Sequence, residues 1–157
     1  MKIEPLSLFL IAGEHSGDGL GSRLMAALKS ETDGNIRFAG VGGPLMEAEG
    51  LKSLFPMQDL AVMGIAEILP HLPRLLRRIK ETANAIHATK PNAIITIDSP
   101  TFANRVVRRL KDRSAIRIHY VAPSVWAWRP WRVHKYKRNF DHILALFPFG
   151  IPFTPAF

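Results

Sequence analysis

An aspartate that closes an apolar run is the side chain most suggestive of chemistry. In AIITIDSPTFANRV, Asp98 follows the strand-like Ala93–Ile97. A carboxylate at the carboxyl end of a middle strand stands where ligands gather in open α/β sheets. It can deprotonate or orient a substrate hydroxyl. It can equally cap the helix that Pro100 would open, with Ser99 as the competing cap. A second cluster lies in IAGEHSGDGLGSRL, where a strand enters a turn holding Gly13, Gly17, Gly19 and Gly21. Backbone N–H groups at a helix start can hold an anion, and glycine permits close approach. The spacing is not the G-x-G-x-x-G of a dinucleotide site. Glu14, His15 and Asp18 could orient a sugar hydroxyl there, or serve as caps.

Two further stretches combine grease with positive charge. HYVAPSVWAWRPWRVHKYKR holds Trp126, Trp128 and Trp131, all 3 tryptophans of the chain. Trp126 and Trp128 would face the same way in an extended chain, and indole suits a partly wet site. Arg129, Arg132, Lys135, Lys137 and Arg138 could bind phosphate or form a solvated helix face. The same mixture describes single-stranded nucleic-acid binding, but no RRM, KH or helix-turn-helix signature accompanies it. His119 and His134 read as structural, since no histidine pair has metal-ligand spacing. The other stretch is LAVMGIAEILPHLPRLLRRIK, residues 60–80, which Pro70 and Pro73 should break. It suits a core helix, or a segment lying in a membrane interface with Arg74, Arg77, Arg78 and Lys80 near lipid phosphates.

The elements that must position these groups follow from the pattern. Near-continuous apolar runs at Leu6–Ala12, Ile36–Val41, Ala93–Ile97, Ile116–Ala122 and His142–Phe147 predict strands covered on both faces. Leu20, Leu24, Ala27 and Leu28 mark one face of a helix that Ser16 or Asp18 could cap. Leu72, Leu75, Leu76, Ile79, Ala83 and Ile86 mark a longer helix. Phe102, Val106 and Leu110 mark another, surrounded by Arg105, Arg108, Arg109 and Lys111. The alternation predicts a doubly wound parallel α/β sheet in one domain. At 157 residues the chain is short for two domains.

Lys plus Arg outnumber Asp plus Glu 21 to 13, for a net charge of +8, which favours anionic partners. With 0 cysteines, disulfides and thiolate metal sites are excluded. The short apolar run near the N-terminus is broken by Pro5 and leads into the glycine turn, so it reads as a strand rather than a signal peptide. No apolar stretch approaches the ~20 residues needed to cross a bilayer.

AGEHSGDGLG, FAGVGGPLMEAEG, FPMQDLAVMGIAEILPHLPRLL, IDSP and HYVAPSVWAWR, in this order, resemble the lipid-A-disaccharide synthase family. The resemblance covers nearly everything from Ile11 to Phe149. It implies the N-terminal, Rossmann-like domain of an inverting GT-B glycosyltransferase that works without metal or cofactor. Such an enzyme joins UDP-2,3-diacylglucosamine, the donor, to 2,3-diacylglucosamine 1-phosphate, the acceptor.

On this resemblance Asp98 is the base that activates the acceptor 6-hydroxyl. Glu14, Ser16, Gly17, Asp18, Ser124, Trp126 and Arg129 line the substrate cleft. Val62, Met63, Ile65, Ile68, Leu69, Leu72, Leu75 and Leu76 touch an anionic membrane, with Arg74, Arg77 and Arg78. The protein would then be peripheral on the inner face of the cytoplasmic membrane of a Gram-negative bacterium. Residues 1–149 form the acceptor-side domain, and 150–157 an apolar tail where Gly150 departs from the family pattern. Thr101 and Ala103 depart from its D-x-P-D-F-N. A UDP-sugar domain is not part of the sequence, so the chain alone is expected to be weakly active or inactive. The rival readings are a non-enzymatic membrane-surface protein and a basic nucleic-acid binder.

Overall fold

The computed structural model describes residues 4–60, 65–121 and 138–144. Among these residues five strands, β1 (Leu6–Ala12), β2 (Ile36–Val41), β3 (Ala93–Ile97), β4 (Ile116–Tyr120) and β5 (His142–Leu144), form one sheet in the order β2-β1-β3-β4-β5. Every neighbouring pair is parallel. The first three strands have the predicted bounds. The fourth stops at Tyr120 because Val121 turns into left-handed backbone, φ 72°, which a β-branched residue rarely adopts.

The strands bury both faces, and their residues sort by alternation. Leu8, Leu10, Ala12, Ile95 and Ile97 pack toward α1 (His15–Glu31) and α2 (Pro44–Ala48), whose Met25 and Met46 complete that cluster. Phe9, Ile11 and Ile94 pack toward α3 (Ile65–Thr89) and α4 (Pro100–Arg109), through Ile79, Ala83, Ile86, Phe102 and Val106. This is the doubly wound α/β arrangement expected from the sequence.

Three helix details differ from the sequence reading. The inward face of α1 is Gly17, Gly21 and Met25, with Leu20, Leu24 and Leu28 flanking it, while Ala27 is exposed. Hydrophobicity marked the flanks; the closest contact uses residues with no side chain. A β-carbon at Gly17 would lie 3.2 Å from the Ile97 carbonyl oxygen, and one at Gly21 2.5 Å from Met46 Sδ. Second, Glu14 holds the N-cap position of α1, so neither Ser16 nor Asp18 caps that helix. Third, α3 runs through Pro70 and Pro73 rather than breaking. Each proline forgoes a bond to the carbonyl four residues earlier, but Ile79, Ala83 and Ile86 seat the following turns in the core. Among the described residues, no helix is long and apolar enough to cross a membrane.

Candidate active site

The strand order reverses direction between β1 and β3, and there the chain leaves the sheet toward opposite faces. After β1 it enters α1; after β3 it enters α4 on the other side. The crevice at such a switch point is the usual ligand position. Ala12 pairs with Ile97, so Gly13 and Asp98 follow side by side at the carboxyl edge.

Asp98 is half-buried, with φ 54°, and Ser99 follows with φ 46°. Two consecutive non-glycine residues in left-handed backbone cost on the order of 1–3 kcal/mol each. Such strain persists only where the surroundings impose it. The Asp98 N–H donates to the Tyr120 carbonyl at 3.2 Å. The carboxylate accepts from the Ser99 N–H at Oδ1 (3.0 Å) and from the Ser16 hydroxyl at Oδ2 (3.2 Å).

Ser99 occupies the N-cap position of α4, but among the described residues no side chain caps that helix, nor α1. The Asp98 carboxylate is therefore not spent on capping. Both helices point uncapped N-termini at the same edge, where backbone N–H groups favour an anion. Glu14, His15 and Ser16 are exposed at the mouth.

Two residues of the glycine turn have structural work instead. Gly17 is buried beneath the end of β3, where the absence of a side chain seats α1. Asp18 is 2% exposed, and its carboxylate accepts from the N–H groups of Gly43 (3.0 Å), Leu45 (3.1 Å) and Met46 (2.9 Å). It caps α2, and so ties the first glycine turn to the second, leaving it no face for a sugar hydroxyl.

Below Asp98, His119 on β4 is fully buried, its Nδ1 2.6 Å from Thr96 Oγ1 and its ring 5.1 Å from that of Phe140. Burial pulls its pKa down to about 4, partly opposed by the negative charge of Asp98. The imidazole is thus neutral near pH 7, a core residue and not an exposed ligand. Arg117 is also buried. Its guanidinium donates to the carbonyls of Leu110 (3.1 Å) and Asp112 (2.7 Å), and its pKa is lowered mainly by burial. It pins the α4–β4 connection. Among the described residues, no group of three or more His, Asp or Glu could hold a metal ion.

The residues expected at a membrane divide. Arg74, Leu76 and Arg77 are exposed, Leu76 at 42%. Leu72 is half-buried, and Leu75 packs against the core. Arg78 turns inward. It donates to Asp59 Oδ2 through Nε (2.9 Å) and Nη2 (2.6 Å), and to Glu81 through Nη1 (2.7 Å). Its guanidinium lies 4.5 Å from the centre of the Phe55 ring. The Glu81 and Asp59 carboxylates raise its pKa. This cation is committed to the protein's own fold. Ile65, Ile68 and Leu69 lie on α3, but their side chains are outside the described residues, as are Val62, Met63, Ser124, Trp126, Arg129 and the tail 150–157.

Asp98 and Ser16 are each conspicuous in the sequence, but their bond is not. The pair is 82 residues apart, and no local pattern links them. The Thr96–His119 contact was equally out of reach, since it depends on the β3–β4 register.

Residues 8–154 match the family model described as Lipid-A-disaccharide synthetase. The chain is 54% identical over 156 residues to the lipid-A-disaccharide synthase of Rhodospirillum centenum, a match covering 98% of this chain and 39% of that protein. Its identity to the synthase of Ruegeria pomeroyi is 54% over 149 residues, covering 94% and 37%. For Nitrobacter hamburgensis it is 52% over 144 residues, covering 90% and 36%. The chain spans less than two-fifths of the length of these relatives. With a match across nearly all of its sheet and helices, the chain belongs to the lipid-A-disaccharide synthetase family.

Proposed function

We propose that this chain is the acceptor-side domain of a glycosyltransferase of lipid A biosynthesis. It would present the 6-hydroxyl of 2,3-diacylglucosamine 1-phosphate to UDP-2,3-diacylglucosamine held by a second domain. Asp98 takes the hydroxyl proton. The oxygen attacks the donor's anomeric carbon from the side opposite UDP, and the carbon–oxygen bond to UDP breaks with its electron pair leaving on the phosphate. The products are an inverted disaccharide 1-phosphate and UDP. The observation that carries this reading is the Asp98 carboxylate at the switch point, half-buried, uncommitted to any cap and held by Ser16. The uncapped starts of α1 and α4 support an anionic ligand at the same edge.

A lipid acceptor also requires a membrane surface. Exposed Arg74, Leu76, Arg77 and Lys80 on α3 support peripheral contact with anionic lipid, on the inner face of the cytoplasmic membrane. The same cations favour, as a second reading, a membrane-surface protein without catalysis.

The test joins this chain to the remaining length of the Rhodospirillum centenum synthase and follows disaccharide formation from the two substrates. Transfer is expected, with Asp98→Asn lowering kcat by roughly 10²- to 10⁴-fold. A fusion that binds anionic vesicles but forms no disaccharide favours the second reading. Equal transfer by Asp98→Asn removes the base. Tight retention on RNA that falls steeply with salt would point to the nucleic-acid rival.

A further inference from the structure

We infer that Ser16 and Ser99 are positioning residues which, with the bare backbone of Gly13, lock the Asp98 carboxylate in one orientation at the mouth of the site. The inference rests on the reading of Asp98 as the base. It begins from the strained backbone at Asp98 and Ser99, φ 54° and 46°, which needs an external cause.

The first cause is steric. A β-carbon at residue 13 would stand 2.1 Å from Ser99 Oγ and 2.8 Å from Ser99 Cβ. The Ser99 side chain therefore fills the space that any residue other than glycine would claim, and it can do so only while the chain at 98–99 keeps its left-handed turn. The second cause is a bond between elements. Ser16, in the first turn of α1, donates its hydroxyl to Asp98 Oδ2 at 3.2 Å, while the Ser99 N–H holds Oδ1 at 3.0 Å. Each oxygen receives one donor and keeps a lone-pair direction open. A hydroxyl arriving from solvent then meets a carboxylate whose rotation is fixed. The hydroxyl hydrogen of Ser16 is engaged on Asp98, so its role is to aim the base rather than to hold substrate.

The test uses the completed enzyme of the transfer assay, with the HN–Hα scalar coupling of Asp98 measured by NMR in the 157-residue chain. Ser16→Ala is expected to lower kcat about tenfold with the acceptor KM within about twofold, because misaiming costs rate more than binding. Ser16→Thr restores most of the loss. Gly13→Ala should lower kcat about a hundredfold and shift the Asp98 coupling toward extended backbone. Adding Ser99→Gly to Gly13→Ala makes room for the new methyl and recovers at least tenfold, which separates a displaced base from a general failure to fold.

A raised acceptor KM at unchanged kcat in Ser16→Ala would make Ser16 a ligand and overturn the inference. So would a Gly13→Ala variant that keeps both the coupling and kcat, or a double variant that stays as slow as Gly13→Ala while folded. Full activity of Asp98→Asn with left-handed coupling intact would refute the base alone, and leave the lock as structure without that task.

Discussion

Helices α1 and α2 cover one face of the sheet with glycine, methionine and a buried aspartate. Helices α3 and α4 cover the other with phenylalanine, isoleucine and valine beneath an outer surface of arginine and lysine. On the first face Arg23 and Lys29 are set against Asp18, Glu31 and Glu47, and Lys29 pairs with Glu49. On the second, α3 and α4 carry Arg74, Arg77, Arg78, Lys80, Arg105, Arg108 and Arg109 in sequence against Glu67 and Glu81, and Asp59 beside them engages Arg78. The net charge of +8 is thus not spread evenly; the sheet separates a nearly balanced layer from a cationic one. One layer draws its backbone close and fixes the turns of the site. The other keeps exposed cations that its own packing does not need. The difference separates positioning from recognition, and each side can be attacked independently.

The largest effect is expected in the positioning layer. Asp18→Ala leaves the buried N–H groups of Gly43 and Met46 without their acceptor. The loss should be ~3 kcal/mol of unfolding free energy, since a charged acceptor is lost and donors remain buried. Urea titration measures it, and Asp18→Asn should recover part because its amide oxygen can still accept. A loss below ~1 kcal/mol would mean that α2 does not depend on this cap and that the two glycine turns are not tied through it.

A comparable effect, but dependent on pH, belongs to the cationic side of the sheet. His119 lies between β4 and the α4 side, against Phe140 and Thr96. Its folded pKa, about 4, is below the ordinary 6.5. The unfolded chain therefore binds the proton first. Stability from this residue is fully present above pH ~6.5, is lost as pH falls toward ~4, and declines no further below that. The window corresponds to at most roughly 3 kcal/mol. His119→Gln should flatten that part of a stability-against-pH curve measured by urea unfolding. If the variant and the parent fall in parallel between pH 6.5 and 4, the imidazole is not the buried neutral group described.

Much of this contrast was legible in the sequence, and the parts that were not have a common cause. Alternation and apolar runs are local, so β1 to β3 and the inward stripe of α4 could be read residue by residue. The glycine face of α1 is not legible there, because packing by absence leaves no hydrophobic signal. Asp18 was visible as a capping aspartate, but not that it would cap a helix beginning at Pro44. Arg78 had the same sequence character as Arg74 and Arg77. Only the fold brings Asp59 and Phe55 beneath it. Asp98 was placed by a general rule of parallel sheets, whereas its left-handed backbone depends on Ser99 and Gly13 meeting across two strands.

The smallest effect on stability, and the sharpest test of recognition, comes from the outer face of α4. Arg105, Arg108 and Arg109 are exposed, and the inward side of the same helix is Phe102, Ala103, Val106 and Val107. Replacing all three arginines by alanine should change unfolding free energy by no more than ~0.5 kcal/mol per site, because no buried group loses a partner. Each cation near an anionic bilayer contributes about 1 kcal/mol, so binding to phosphatidylglycerol vesicles should weaken by up to about a hundredfold if this face touches lipid. Neutral phosphatidylcholine vesicles should show no such change. Arg23→Ala, on the balanced layer, serves as the control and should leave vesicle binding where it was. If Arg23→Ala weakens binding as much per charge as the α4 variant does, attraction follows total charge and not a face, and the separation of the two layers has no bearing on recognition.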